Sequence, residues 1–600
     1  MAQHDLIVHP LVLRSVRVAA VTDLSPRMRR VTLTGEELGA FTRDGIPLPA
    51  FASPGFDDHV KLIFAADGDL AAALPVQLPH GIEWGASESR QGRDYTPRRF
   101  DPVARQLDLD FVMHGDGPAA SWARNASLGD ELWFAGPKSS TVVPVDADWV
   151  LLAGDETALP AILRFLEERP VSAPARVIVT ISDEQARQEL QLRDQDRAEW
   201  IVADATDERA LADAITRLTP LPGTPYIWAA AESRALLPVR RIARTLGAPK
   251  SHVNITGYWH QRVEAETAAV GEANPVLPEA PVLWFAVRAA VQLGLLDALA
   301  GEAMQPAPLA ERVGATSAAA LTPLLTCLTQ GGVLARRDNG SYALDRLGEE
   351  LREDEHAQEA FTGFASAQVL ALAALPDAIT GDESAWQRTH GVSLRDAVES
   401  EPEFFDELLE QAGSLPHVLP GLMQHPIWAG ATRITITGPG ATQVGTSLSP
   451  AIRTAPHTVG SESATAQLTV HEAPVPLAAL RADAGTSDWQ FTSELPEDQD
   501  IAVTALAFGH RSDAEVVALL RELLRVAPRA VLIERLSPDG LSDAASASHA
   551  LIDFAGIGTP TRSPAETLRL ASEAGWHVVA RHKLGWGIES VELSRAARNS

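Results

Sequence analysis

Three short runs carry the residues best suited to chemistry. In RDYTPRRF, Arg93 to Phe100, one tyrosine stands among arginines. Tyr95 in an extended segment offers a flat face to a planar ring, Thr96 offers a hydrogen bond to that ring's polar edge, and Arg93, Arg98 or Arg99 offers a guanidinium to a diphosphate. Pro97 pushes Thr96 towards extended backbone. The second run, HGDGPAASW from His114 to Trp122, follows the alternating stretch LDLDFVM. There His114, Gly115 and Gly117 make a turn, and Pro118 suits the first position of a helix. The amides of Ala119, Ala120 and Ser121 would then point at a phosphate. The third run is AGDETALPA, Ala153 to Ala161. Each run alone reads more readily as a solvated sheet face or an ordinary turn; three in this order and spacing are far less easily accidental.

The three runs together resemble the flavin reductases of the siderophore-interacting protein family. DDHVKLIF (Asp57 to Phe64) and GYW (Gly257 to Trp259) extend the resemblance from Val16 to Trp259. It implies that Arg93, Tyr95 and Arg98 hold FAD and that the turn from His114 lies near its pyrophosphate. By the same resemblance the GDETALP loop faces the electron donor, which makes Gly154, Thr157 and Pro160 candidates for nicotinamide or donor contact. His114 reads equally as a flavin hydrogen-bond partner and as a satisfied turn histidine. The implied reaction passes electrons from NADPH, NADH or a ferredoxin-like protein through FAD to a ferric siderophore and releases ferrous iron. Two departures bear on substrate. Ala230-Ala231-Glu232 replaces the family's Ala-Gly-Glu, and His260 and Gln261 follow GYW where basic residues are usual. Lys61, Lys138, His260 and Arg262 remain as cations for an anionic chelate. No acid–base catalytic residue is assigned.

The elements that must position these runs follow from hydrophobic period. VRVAAV, MRRVTLTG, HVKLIF, LDLDFVM and ELWFAG are short β-rich runs between turn clusters, as in a small antiparallel barrel. From Trp149 the pattern changes to strand and helix in alternation: Trp149 to Ala153, then ALPAILRFLEE, then RVIVTI, then YIWAAA. That is an α/β nucleotide-binding domain, and barrel plus α/β domain is the ferredoxin-reductase-like plan. We expect a FAD-binding barrel over 1–145, a donor-binding α/β domain over 146–260 and a polar linker over 261–280.

A different half follows. Helix, turn, helix and hairpin succeed one another after Trp284, with Asp338-Asn339-Gly340 as the hairpin turn. This winged-helix pattern resembles the dimerisation domain of small-molecule O-methyltransferases and implies a homodimer. It is expected over 281–425, and a Rossmann-like α/β domain of methyltransferase type over 426–600. RITITGPGA, QLTVHEAP, the run from Asp500 to Pro528 and RAVLIERL stand in the places of that domain's strands and helices. Gly438 and Gly440 occupy the glycine-turn positions, Glu472 the position of the ribose acid, and His510 lies one residue away from that of a histidine base. Yet Ile434 to Thr437 hold no carboxylate and Pro439 interrupts the glycines, so use of S-adenosylmethionine stays open, and His510 reads as a surface histidine before it reads as a base. Transfer activity is expected to be lost or changed. Two rival readings stand beside the reductase: a bifunctional biosynthetic enzyme with a working methyltransferase, and a non-enzymatic flavin-binding dimeric scaffold.

Composition narrows the field. Six hundred residues call for several hydrophobic cores, and 45% hydrophobic with 22% charged residues is an ordinary globular balance. A formal charge of -29 disfavours nucleic acid or an anionic membrane as partner. No run offers about 18 uninterrupted apolar residues, and residues 1–18 lack a signal peptide's core, so a cytoplasmic location is expected. The single cysteine, Cys327, reads as a buried structural thiol and excludes an internal disulfide or a four-thiolate cluster. His59, His80 and His114 lack metal-ligand spacing, and no metal is assigned.

Overall fold

The computed structural model describes residues 4–87, 89–113, 117–204, 207–259, 280–454, 467–537, 539–541 and 543–595, the side chains of 355–356, 451–454 and 543–544 excepted. His114, Gly115, His260, Arg262 and, of the linker expected over 261–280, residues 261–279 lie outside the described residues. Contacts divide the chain into two compact units: residues 5–142 together with 368–600, and residues 143–367.

In the first unit, residues 13–135 fold as a seven-stranded antiparallel sheet. Its order is Pro97–Asp101, Gln106–Val112, Met28–Thr34, Leu13–Ser25, Glu131–Ala135, Val60–Ala65, Arg90–Tyr95. The two outermost strands are consecutive in sequence and share only Thr96 between them, so the sheet curls until its ends meet at that residue. Pro97 has no N–H to donate, which suits a strand that begins at a break in the ladder. Alternation fills the barrel: Leu107, Leu109 and Phe111 are fully buried, while Asp108 and Asp110 face the other way and bind Thr32 and Arg30.

The same unit holds a second seven-stranded sheet, ordered Gln490–Thr492, Gln467–His471, Arg433–Thr437, Ile501–Ala505, Arg529–Arg535, Ile588–Arg595, Trp576–Gly585. The first five strands run parallel and the last two form an antiparallel hairpin. Helices Asp513–Val526 and Pro564–Glu573 cover it, each begun by a serine capping box. A barrel loop packs against this hairpin and against the loop after Arg529–Arg535: Gly587 N–H donates to Glu83 Oε2 at 3.4 Å, Gly540 N–H to the Trp84 carbonyl at 3.0 Å and Trp84 N–H to Asp539 Oδ1 at 3.2 Å.

The second unit contains a five-stranded parallel sheet in the order Arg197–Val202, Ala175–Ile181, Trp149–Gly154, Pro225–Glu232, Val253–Trp259. Helices Leu159–Glu168, Ala210–Arg217 and Leu236–Thr245 connect its strands. Arg197–Val202 and Val253–Trp259, the two edge strands, are additions to the strands read from sequence. Helices Pro306–Arg312 and Ala318–Gln330 then precede the hairpin Leu334–Arg336 and Tyr342–Leu344, whose Gly340 has φ +82° as the turn requires. Cys327 is half-buried rather than buried, because it sits at the edge of this small core. The helix Val282–Gln292 buries Ala286, Val287 and Ala290 but leaves Val282 61% and Phe285 50% exposed. Among the described residues one helical run, Ala357–Thr380, is by length and composition apolar enough to cross a membrane, with 22% of its most apolar window buried. Ser366, Gln368, Pro376 and Asp377 interrupt it in sequence.

Candidate functional site

The barrel seam gathers most of the first candidate run. Tyr95 ends one edge strand and Pro97 begins the other, so Tyr95, Thr96 and Arg98 all fall at the seam where the two strands meet. The Tyr95 ring lies 4.5 Å from the Phe111 ring, and Phe111 lies 5.8 Å from Trp122 of the helix Pro118–Asn125. Burial pushes the Tyr95 phenol well above its ordinary pKa, so it stays neutral. Thr96 and Arg98 are buried. Asp110 anchors Arg30 through bonds of 2.7 and 2.8 Å and lies 3.9 Å from Arg98, so the guanidinium of Arg98 is held beside a fixed carboxylate. Arg93 and Arg99 are exposed, and Arg93 also donates to the Gly92 carbonyl.

The helix after the second run starts as proposed, with Gly117 as N-cap, Pro118 in the first turn and no side-chain cap on its amides. Ser121 is a correction: its N–H donates to the Gly117 carbonyl at 2.9 Å as an internal helix bond, leaving only the Ala119 and Ala120 amides for an anion. A backed aromatic face, a buried guanidinium and an uncapped helix start fit a planar ring with an anionic tail.

Two of the cations considered for a chelate are already engaged. Lys61 pairs with Asp94 at 2.8 Å, and Lys138 Nζ lies 6.0 Å from the centre of the Trp586 ring.

In the second unit, Gly154 ends the central strand Trp149–Gly154. A Cβ there would meet the Ala230 carbonyl oxygen at 2.2 Å and Ala158 Cβ at 2.4 Å, so glycine is required by close approach. Thr157 donates its hydroxyl and its amide to Asp155 Oδ1, at 2.5 and 2.8 Å, and Pro160 is buried in the following helix. Sequence reading passed over the organiser of this loop. Asp155 also accepts the Trp259 indole N–H at 2.8 Å and the Glu232 amide at 3.0 Å, tying together the ends of three strands. Burial pushes its carboxyl above the usual range, against the pull of these bonds. The signal was present: GDE and GYW had both been singled out, but not as partners.

The methyltransferase-type site is closed on itself. Glu472 Oε1 accepts the Thr437 hydroxyl at 2.8 Å and the Gly438 amide at 2.7 Å. Gly438 has φ +105°, and Gly440 N–H donates to the Ala505 carbonyl at 3.0 Å. A Cβ on Gly440 would meet Leu415 at 2.4 Å. Arg511 pairs with Glu399 at 3.2 Å and approaches Glu472 at 3.9 Å. His510 is 2% exposed, which overturns the surface reading. The chain turns inward after Phe508, and Arg511 donates to His510 Nε2. Burial first, then Arg511, Arg395 and Arg562, holds its pKa well below the ordinary value. Its free lone pair is thus already occupied, which is unfavourable for a general base.

Comparison with known proteins agrees with this division. Residues 17–141 match the siderophore-interacting FAD-binding domain, residues 147–262 the siderophore-interacting protein domain, and residues 280–354 the O-methyltransferase dimerisation domain. The chain is 33% identical over 256 residues to the NADPH-dependent ferric-chelate reductase of Escherichia coli K12, covering 42% of this chain and 93% of that protein. It is 30% identical over 277 residues to the ferric vibriobactin reductase of Vibrio cholerae, covering 45% and 97%. Among solved structures, an O-methyltransferase from neocarzinostatin biosynthesis aligns with TM-score 0.41 and 23% identity over 54% of this chain and 99% of that one.

Proposed function

Through its first half the chain belongs to the siderophore-interacting protein family, and from that premise we propose that it reduces ferric siderophores with NADPH or NADH, releasing ferrous iron in the cytoplasm. Closure of the barrel at Thr96, which brings Tyr95, backed by Phe111, and the buried Arg98 to one seam, carries the reading. Bound FAD would accept a hydride and give up electrons singly, so that one nicotinamide reduces two ferric ions. Tyr95 would present its neutral face to the ring, and Thr96 would bond the ring's polar edge. Arg98, and Arg93 or Arg99 from the surface, would hold the diphosphate with the Ala119 and Ala120 amides. Asp155 would keep the Gly154–Thr157 loop in one shape for the donor. The exposed apolar residues of Val282–Gln292, within the dimerisation-type segment, support a homodimer. The occupied Glu472 and His510 favour a C-terminal domain that no longer transfers methyl groups, over a bifunctional enzyme.

The test is the absorption spectrum of the purified full chain under anaerobic conditions. Yellow colour that bleaches with NADPH or NADH and returns with a ferric chelate, as ferrous ion is trapped by a chromogenic ligand, is the expected result. A colourless protein that ignores added FAD removes the proposal, and a coloured one inert to both reagents leaves only a flavin-binding scaffold.

A further inference from the structure

The C-terminal hairpin and the turn before the methyltransferase-type sheet bring together His425, His582 and Glu592, with one ligand atom from each within 4.8 Å of the others. His582 and Glu592 are diagonal neighbours across the hairpin, since His582 faces Ser590 and Ala580 faces Glu592 in register. His425 caps the short helix Pro426–Trp428, and that turn is fixed by Arg529, which donates to the Ile427 carbonyl at 2.9 Å.

The two histidines approach one carboxylate oxygen closely without the geometry of a hydrogen bond. Glu592 is 6% exposed, and its Oε1 has no hydrogen-bond partner among the described residues; neither has His582 Nε2. His425 Nδ1 lies 2.9 Å from that oxygen and His582 Nε2 lies 3.4 Å from it. The Ile427 N–H points to His425 Nδ1 at 3.4 Å, which marks this nitrogen as the one that carries no proton. A bare nitrogen 2.9 Å from a buried carboxylate oxygen is a close approach of two acceptors, which either a shared proton or a metal ion between them relieves. Separations of about 2.9–3.4 Å are also what metal–ligand bonds of ~2.0–2.1 Å give, at angles from 90° to tetrahedral.

We propose that His425, His582 and Glu592 form a binding site for one divalent first-row transition ion. Two imidazoles and a carboxylate are a donor set for Zn²⁺ or Fe²⁺ and a poor one for Mg²⁺ or Ca²⁺, which take oxygen ligands. Both histidines are partly exposed, at 32% and 41%, so an ion can reach the buried carboxylate. A further imidazole, His80, packs its ring on Gly421 nearby. The site does not depend on the reductase reading, because none of its three ligands belongs to the FAD-binding segment.

The experiment is equilibrium dialysis of the full, chelator-treated chain against Zn²⁺, and anaerobically against Fe²⁺, with bound metal counted by elemental analysis. One ion per chain at micromolar free metal is expected, with Zn²⁺ held more tightly than Fe²⁺. His582→Ala and Glu592→Gln should each weaken binding by at least ~10-fold. Absence of binding in the wild type, equal binding of Mg²⁺, or an undiminished His582→Ala/Glu592→Gln double variant would overturn the site. Should either variant fail to fold, thermal unfolding of the wild type decides the matter: Zn²⁺ raises Tm if the ion binds the native state and leaves it unchanged if it does not.

Discussion

The Glu472 carboxylate accepts the Gly438 amide at 2.7 Å, so the acid at the end of one strand is consumed by the glycine turn at the end of its neighbour. A ribose diol would have to break this bond and the one from Thr437, in a place that also holds Arg511. Calorimetric titration of the full chain with S-adenosylmethionine should therefore show a Kd no tighter than about 1 mM, roughly 4 kcal/mol. Saturable micromolar binding would restore the methyltransferase reading.

Tyr95→Ala removes the aromatic face while leaving Phe111 and Trp122 in place. Loss of one stacked ring is worth about 1–3 kcal/mol, so FAD should bind roughly 5- to 150-fold more weakly. Flavin fluorescence during titration of the apoprotein measures it, and unchanged affinity would move the ring elsewhere.

Gly154→Ala sets a methyl group against the Ala230 carbonyl and Ala158. Neither neighbour is the tip of a flexible side chain, so the central strand must shift. We expect a loss of about 1–3 kcal/mol in stability and a lowered Tm. Unchanged unfolding would mean that the loop yields easily and that its shape does not depend on glycine.

Much of this was legible in the sequence, for identifiable reasons. Leu107, Leu109 and Phe111 alternate with Asp108 and Asp110, and such alternation names a strand whatever surrounds it. RAEWIV was missed because Arg197–Val202 is an edge strand, whose mixed polar pattern has no second buried face. The burial of His510 depends on its neighbour Arg511 being held by Glu399 and Arg562, two residues that lie far from it in the sequence. The grouping of the barrel with 368–600 rests on loop contacts such as Trp84 with Asp539, which no hydrophobic pattern announces.

Acid should reveal His417. Burial first, then the charge of Lys138, lowers its pKa to about 4 from the ordinary 6.5. The unfolded chain therefore binds the proton more readily between those values, and stability is lost as pH falls from 6.5 towards 4. His417→Gln should flatten that loss, by an amount on the order of 1–2 kcal/mol at pH 5. Thermal melts of both proteins at pH 5 and pH 7.5 test it; parallel curves would exclude His417 as a contributor.

Phe285→Arg places a charge on the exposed apolar side of Val282–Gln292. If that side is covered by a second copy, sedimentation should show a monomer where the wild type is a dimer, with the melting curve of the monomer otherwise intact. A variant that still sediments as a dimer would place the interface on other helices.

Strands Leu13–Ser25 and Trp576–Gly585 belong to one compact unit although more than half of the chain is translated between them. On the ribosome the barrel is therefore finished long before the hairpin that covers its Trp84 loop. During that interval Glu83 and Trp84 lack the bonds they later make with Gly587, Asp539 and Gly540, and a messenger truncated after Trp259 would leave them without these partners for good.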